Sequence, residues 1–508
     1  MTQTFIPVDV ARFEQARATA RLPEAHTFID GAFVHGDGES LTVTYPATGA
    51  EIATLRCATP EQVGHAAAVA KRAQREWGAM NAERRAAILT RAADLIEADA
   101  ERIASLISLD NGKTLAGGRG DVRACLAFLR SAAGWATRLT GSTLPVGHHA
   151  QAMTWREPVG VVGIVMPYNA PFLFCGMKIA PAIAVGNTVV AKTPEKSPLA
   201  PVVFCEYLAA AGLPDGVVNV VHGYGDVGSA IVDAPEVAMI SFTGSSLVGA
   251  KVGARAAELL KYPILELGGK SANIVYADAP YEDAVRGSAG AIFRNAGQRC
   301  FSGSRLLLHE DIADRFIEDY RDYVQELTVG DPLDERTQIG TLITHDDVAR
   351  VQGMVDRAID GGAIVHLGGH APQEAPDRGA FYFPTILEVP AGAECAEIVQ
   401  EEVFGPVVVI QRFSSTEQAI EMANDSQYGL AGGCWSTNLA TAMRTAREVE
   451  TGMFWINSYG TGNGPEATLG GRKRSGIGTE KGLEGIEHYT VLKTVLIPSE
   501  GDAYATEF

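Results

Sequence analysis

The sequence is poor in the features that mark several classes of protein. Its seven cysteines, Cys57, Cys125, Cys175, Cys205, Cys300, Cys395 and Cys434, are odd in number and widely spaced, and none forms a CxxC pair. That excludes a disulfide framework and a cysteine zinc site. It fits a reducing compartment, so a cytoplasmic location is expected. The eleven histidines include no HExxH and no paired ligand spacing, so no metal is expected. Basic residues are in deficit. A formal net charge of −19 argues against a nucleic-acid partner and against an anionic membrane surface. No apolar run reaches the length of a membrane span; the longest candidate, 159–166, has the length of a strand. Met1-Thr2-Gln3-Thr4 lacks a basic segment followed by an apolar one, so no signal peptide is expected. Tandem repeats and low-complexity segments are absent as well.

What is there describes an ordinary globular protein of α/β class. The chain has 508 residues, 46% hydrophobic and 20% charged, and the length allows about three domains. Residues 60–140 read helical: Ala67, Val69, Ala70, Ala73 and Trp77, then Ile88, Leu89, Ala92, Leu95 and Ile96, recur at three and four. After Leu139 the stretch 141–158 is polar and β-prone, with a turn expected at His148-His149. From Val159 strands and helices alternate. Strands are expected at 159–165, 188–192, 217–222, 239–243 and 264–267, and helices at 172–185, 199–211, 226–233 and 247–260. Repeated strand–helix–strand units imply a parallel, doubly wound sheet. A second alternating series runs from about Asn273 to Asn457, with strands at 273–276, 304–308, 407–412 and 453–457. The segment 489–497, ending before Pro498, reads as a strand with no neighbour in sequence. It must pair with a distant part of the chain or with another subunit.

Several short motifs carry chemistry. Gly223-Tyr224-Gly225-Asp226-Val227-Gly228 matches GxGxxG after a strand, yet no acidic residue is clearly placed downstream for a ribose. Phe242-Thr243-Gly244-Ser245-Ser246-Leu247-Val248-Gly249 lies between a strand and a helix, where free N–H groups can receive a pyrophosphate. Spacing alone does not choose between these two loops, or between either and a plain turn. Lys192-Thr193-Pro194-Glu195 follows a strand and, unaided, reads as a solvated charge pair. A lone cysteine is more often a small buried hydrophobe than a nucleophile. Cys300 differs because Gly297, Ser302 and Gly303 leave room beside it, whereas the other six cysteines read as structural. Glu266 sits among Ile264, Leu265 and Leu267, and an apolar setting raises a carboxyl pKa toward that of a useful base. Its bland alternative is an ion pair with Lys270. Asn169, between Pro167 and Pro171, reads by itself as a turn residue.

Three stretches, Pro167-Tyr168-Asn169-Ala170-Pro171, Leu265-Glu266-Leu267-Gly268-Gly269-Lys270-Ser271 and Phe293-Arg294-Asn295-Ala296-Gly297-Gln298-Arg299-Cys300, follow one another in an order and at separations that resemble the NAD(P)-dependent aldehyde dehydrogenase superfamily of the hydrolytic type. The resemblance runs from about Phe28 to Pro498. It implies an aldehyde dehydrogenase-like fold with a Rossmann-type NAD-binding domain (1–138 and 159–267), a catalytic α/β domain (268–471) and a small β bridging region (139–158 and 472–508) that makes a homodimer or homotetramer. It implies an oxidoreductase that takes an aldehyde to the acid through a thiohemiacetal and a thioester on Cys300. Asn169 becomes the oxyanion donor and Glu266 the base, with Glu480 and Lys178 as a proton relay. Residues implied to hold the cofactor are Met166, Pro167, Tyr168, Lys192, Glu195, Gly225, Phe242, Gly244, Ser245, Gly249, Leu267, Glu402 and Phe404. Glu195 would repel a 2′-phosphate, which favours NAD, although some relatives with Glu here also use NADP.

By position the substrate tunnel is Ala170, Leu173, Phe174, Met177, Arg294, Arg299 and Phe301, with the glycine-rich loop 458–468. It is mostly apolar, so a medium-sized aliphatic or aromatic aldehyde is expected. Two positions depart from the common pattern: Tyr168 stands where many relatives have Trp, and relatives vary at Arg299. Arg294 matches a carboxylate-binding Arg of succinate semialdehyde dehydrogenases, but Met177 replaces their other one, so a semialdehyde is the alternative. An acylating enzyme that uses coenzyme A is a rival that Glu266 argues against. A retired structural relative is opposed by the joint presence of Cys300, Glu266 and Asn169.

Overall fold

Thr59 opens the helical part of the chain with a reciprocal cap. Its side chain accepts from the Gln62 backbone, the Gln62 side chain accepts from the Thr59 N–H, and Pro60 occupies the first turn, where no N–H is needed. Helices Pro60–Ala79, Ala82–Ala98, Ala100–Asn111 and Leu115–Ala136 follow, as the apolar period predicts. The computed structural model describes residues 3–147 and 150–498, so the turn expected at His148-His149 lies outside the described residues.

Two sheets organise the rest. The first has five parallel strands in the spatial order Tyr262–Glu266, Val237–Thr243, Val161–Val165, Thr188–Lys192 and Val218–Val221. Each edge is covered by an antiparallel addition. The hairpin Thr27–Ile29/Ala32–Val34 joins Val218–Val221, and Gly476–Ile477 joins Tyr262–Glu266. The second sheet runs Ile364–Leu367, Thr385–Glu388, Val407–Phe413, Arg305–His309, Ala272–Val275, Ala431–Trp435 and Met453–Ile456, parallel except at the first pair. Central strands of both sheets are buried on both faces, as parallel sheets covered by helices require. The tail strand Thr490–Pro498 pairs antiparallel with Ala150–Pro158 of the same chain over nine positions, and Thr143–Leu144 completes that small sheet.

The helix expected at 172–185 is three pieces. Pro171–Phe174 and Ala180–Ala184 are α-helical, and Cys175–Ile179 between them is a π-turn in which the Ala180 N–H reaches back to the Cys175 carbonyl. Pro181 has no N–H to give the Met177 carbonyl, which weakens the α ladder at this point. Gly176 lets the turn press on the long helix Leu115–Ala136: a Cβ there would stand 2.8 Å from the Cys125 carbonyl oxygen. The π-turn carries Met177 and Lys178, and the long helix brings Phe128 beside them.

Candidate active site

The carboxyl ends of the first sheet open on a cleft of about 990 Å³ that reaches Cys300. Each expected cofactor residue except Gly249 lines it: Met166, Pro167, Tyr168, Lys192, Glu195, Gly225, Phe242, Gly244, Ser245, Leu267, Glu402 and Phe404. Gly249 has a packing role instead. It lies one turn into the helix Ser246–Glu258, where a Cβ would stand 2.2 Å from a Leu267 methyl, so only glycine lets that helix sit on the strand end. Ser245 caps the same helix by accepting from the Val248 N–H at 3.3 Å, which aims the helix start into the cleft. The first glycine loop lines the cleft too, through Tyr224, Gly225 and Gly228.

Lys192 is buried. Its ammonium donates to the Thr193 carbonyl at 2.9 Å and to Glu195 at 3.1 Å, so the pair forms part of the cleft wall rather than a solvated strand end. Burial pushes the Glu195 carboxyl up, but Lys192 and backbone N–H groups outweigh it and hold it below its ordinary value. A ribose hydroxyl could donate to this anion. The Tyr168 ring meets Phe404 edge-on at 5.8 Å and carries the Lys196 ammonium at 5.3 Å on its face. Lys196, Lys251, Arg255, Asp347 and Arg350 also line the cleft and were missed from the sequence. Lys196 directly follows the Lys192–Glu195 segment, Lys251 and Arg255 lie further along the helix Ser246–Glu258, and Asp347 and Arg350 come from the remote helix His345–Asp360; none carries a motif of its own.

Two glycines bring the reacting groups together. A Cβ on Gly268 would stand 2.5 Å from Glu402 Oε2, and a Cβ on Gly269 would stand 2.3 Å from the Cys300 carbonyl oxygen. The end of the Glu266 strand therefore touches both the Cys300 segment and the Glu402 turn. Asn295, Ala296 and Gly297 all have positive φ, and this left-handed turn carries the chain from the helix Tyr281–Ile292 to Cys300. Gly297 packs on the Gly405 carbonyl, where a Cβ would be only 2.0 Å away.

Cys300 is half-buried at the cleft, while the six other cysteines are buried in the core. Burial, with the Glu402 and Glu266 carboxylates, pushes its thiol up to about 12. The Asn169 side-chain amide donates one N–H to the Gln298 carbonyl at 3.0 Å, which fixes it beside the Cys300 segment and leaves its second N–H free to donate. Glu266 is 3% exposed, and among the described residues neither of its carboxylate oxygens has a hydrogen-bond partner. Burial, then the neighbouring Glu480, raises its pKa well above the ordinary value. It does not pair with Lys270, whose buried ammonium has no partner among the described residues. Lys178 is wholly buried and bonded to Glu480 and, at 2.8 Å, to Ser241, so it is not a helix-surface lysine. The Ser241 hydroxyl reaches Glu480 at 3.0 Å. Burial also pushes Glu402 up to about 7.

On the substrate side Ala170, Leu173, Phe174 and Met177 form one apolar cluster with Phe128. Phe301 packs against Trp455 at 6.0 Å, and Tyr459 donates to the Phe301 carbonyl at 3.0 Å. The two arginines part company. Arg294 is exposed and lies over Gly290, and among the described residues it makes no ion pair. Arg299 turns back on the preceding helix, where it donates to the Gly290 and Ala291 carbonyls at 2.9 Å each and stacks on the Phe301 ring at 5.0 Å. It adds donors to two carbonyls of the helix end, one of which, that of Ala291, also accepts from the Gly303 N–H at 3.2 Å. Phe128 and Trp455 were missed from the sequence, because each reaches the site from an element with no motif of its own, whereas Tyr459 belongs to the loop 458–468 expected there.

The sequence model of the Aldehyde dehydrogenase family matches residues 33–495. The chain belongs to the aldehyde dehydrogenase family. It is 39% identical to an aldehyde dehydrogenase of Aspergillus niger, over 92% of this chain and 94% of that one. It is 37% identical to a betaine aldehyde dehydrogenase of Brucella anthropi, over 94% and 97%. The solved structure of PnpE in complex with nicotinamide adenine dinucleotide superposes with a TM-score of 0.91, at 40% identity, over 94% of this chain and 98% of that one. This aldehyde dehydrogenase is accordingly an NAD-using oxidoreductase that converts aldehydes to acids. The cleft fits that cofactor: it offers a capped helix start, an anionic Glu195 and an aromatic wall at Tyr168 and Phe404. Among the described residues no helix is long and apolar enough to cross a membrane.

Proposed function

We propose that Cys300 is the nucleophile of a hydrolytic aldehyde dehydrogenase acting on medium-sized aliphatic or aromatic aldehydes. The observation that carries this reading is the meeting of Cys300, the free Asn169 N–H and the partnerless Glu266 carboxyl around one strand end. The Cys300 thiol gives its proton to solvent as the sulfur adds to the aldehyde carbon, giving a thiohemiacetal whose oxygen carries the charge. The carbonyl oxygen gains charge as this happens, and the Asn169 amide with the Cys300 backbone N–H donates to it. Losing one such donor costs about 3 kcal/mol of transition-state stabilisation. NAD held by the helix start at Ser245 and by Lys192 and Glu195 would supply the hydride acceptor, and the acyl group then stays on Cys300 as a thioester. Glu266 then takes a proton from water, the hydroxide oxygen adds to the acyl carbon, and the carbon–sulfur bond breaks. Glu480, Lys178 and Ser241 form the buried chain through which that proton leaves. Glu195 supports NAD over NADP, because a 2′-phosphate would meet its carboxylate.

The apolar cluster at Phe128, Phe174 and Met177 supports an uncharged substrate. The exposure of Arg294 supports the uncharged substrate over the alternative, a carboxylate-bearing semialdehyde. The division 1–138 with 159–267, 268–471, and 139–158 with 472–508 is proposed for the domains, with Gly476–Ile477 and Glu480 serving the first sheet and the site before the tail reaches its partner strand. Trp155, Leu492 and Leu496 are exposed on that small sheet, which supports its use in a homodimer or homotetramer. Reduced, buried cysteines support a cytoplasmic home.

NADH formation measured with hexanal, benzaldehyde and succinate semialdehyde, with and without coenzyme A, tests the reading. The uncharged aldehydes should lead without coenzyme A. Arg294→Leu should change every specificity constant by no more than about twofold, as for an exposed side chain outside the site. A selective collapse of succinate semialdehyde oxidation in that variant would return Arg294 to the tunnel.

A further inference from the structure

Lys481 follows Glu480 in a segment that runs antiparallel to the end of the glycine-rich loop. The Glu480 N–H donates to the Leu469 carbonyl at 2.7 Å, the Leu469 N–H returns a bond at 2.8 Å, and the Gly482 N–H reaches the Pro465 carbonyl at 2.7 Å. Between them Lys481 adopts φ +60°, a conformation that costs a long side chain about 1 kcal/mol or more. The constraint fixes its side chain inward, where the residue is only 9% exposed. The ammonium donates to the Asn463 side-chain oxygen and to the Gly464 carbonyl at 3.5 Å. Both acceptors lie in the glycine-rich loop, and both are neutral. Among the described residues no carboxylate pairs directly with this cation.

Burial pulls Lys481 down to about 8, against Glu480, Glu266, Cys300 and Glu466, which all favour its charged form. Glu266 pairs with Gly476, five residues before Lys481; its carboxyl is raised by burial and by Glu480, and Lys178 and Lys481 are the cations that oppose that rise. Lys178 is committed to Glu480. Lys481 is therefore the cation near Glu266 whose charge no bonded carboxylate neutralises. A cavity of about 20 Å³, room for one water, lies between Lys481, Glu480, Met177, Phe128 and Tyr489.

We propose that Lys481 is a positioning residue for the hydrolytic half of the reaction: it ties the glycine-rich loop across the site through Asn463 and Gly464, and it keeps a positive charge beside Glu266. The proposal rests on the reading of Glu266 as the base. Lys481 exchanges no atoms in the step. Water gives a proton to Glu266, its oxygen adds to the acyl carbon, and the Cys300 sulfur leaves with the electron pair of the broken bond. The base works only when ionised, and a nearby cation favours its ionised form. Removing the cation raises the pKa of Glu266, so the acid limb of turnover moves to higher pH.

The test uses the whole enzyme with NAD and hexanal. The first-turnover burst of NADH and the steady-state kcat and KM are measured from about pH 5.5 to about 9. Lys481→Met should keep the burst, lower kcat about tenfold at neutral pH and move the acid limb up by about one pH unit. Lys481→Arg should keep the wild-type limb. Asn463→Ala, which loses the tether and not the charge, should raise KM with the limb unmoved. Should Lys481→Met fail to fold, Lys481→Gln, uncharged but still a donor to Asn463, must show the same limb shift. An unmoved limb in the uncharged variants overturns the proposal if Glu266→Gln removes that limb. If Glu266→Gln instead turns over like wild type, the base assignment falls and Lys481 loses its role with it.

Discussion

The carbonyl oxygen of Cys300 packs directly on the α-carbon of Gly269, leaving no room for a side chain between the nucleophile segment and the strand that ends in Glu266. A methyl group there would stand 2.3 Å from that oxygen. Gly269→Ala should therefore push Cys300 away from Glu266. A displacement near 1 Å costs about a hundredfold in rate. We expect kcat/KM to fall by about that factor while NAD binding, followed by fluorescence, changes little. Wild-type activity in Gly269→Ala would show that the contact does not set the geometry.

The reactivity of Cys300 should depend on pH in a defined direction. Its thiol is pushed up to about 12, so in the free enzyme the thiolate fraction grows with each pH unit through the neutral range. Alkylation by iodoacetamide should be slow at neutral pH and rise about tenfold per unit toward about pH 9. Peptide mapping should find Cys300 labelled first, since Cys57, Cys125, Cys175, Cys205, Cys395 and Cys434 are buried. Activity retained with Cys300 fully alkylated would exclude it as nucleophile.

Cofactor choice should follow Glu195. The carboxyl is held ionised by Lys192 despite its burial, so it opposes a 2′-phosphate across the neutral range. Glu195→Ser should improve kcat/KM for NADP by about tenfold or more and narrow the gap to NAD. Equal specificity constants for the two cofactors in the wild type would remove Glu195 from this role.

How far the sequence can be read depends on how local each cause is. The strand Thr188–Lys192 is legible to the residue, because a β-branched run is bounded by Gly186-Asn187 on one side and Pro194 on the other. The parallel alternation and the lone tail strand are legible for the same reason. The hairpin Thr27–Ile29/Ala32–Val34 is not, since short edge strands gain their stability from a sheet formed almost two hundred residues later. The π-turn at Cys175–Ile179 is hidden because its apolar spacing mimics a plain helix, and only Pro181 hints at the shifted ladder. Cys300, Glu266 and Asn169 stand out through resemblance, while their flanking residues alone left turn, ion-pair and core readings open. Arg299 and Lys481 show the limit. The first is drawn to helix-end carbonyls and the second to a loop nearly twenty residues upstream, and neither target is encoded next to the residue.

The central claim is that an acyl group rests on Cys300 until Glu266 releases it. Glu266→Gln keeps the size of the side chain and removes the base. Mixed with hexanal and NAD, quenched after one turnover and digested, this variant should yield a Cys300 peptide heavier by a hexanoyl group, with about one NADH formed for each adduct. NADH formed at that level with an unmodified Cys300 peptide, or with the acyl group on another residue, would contradict the account.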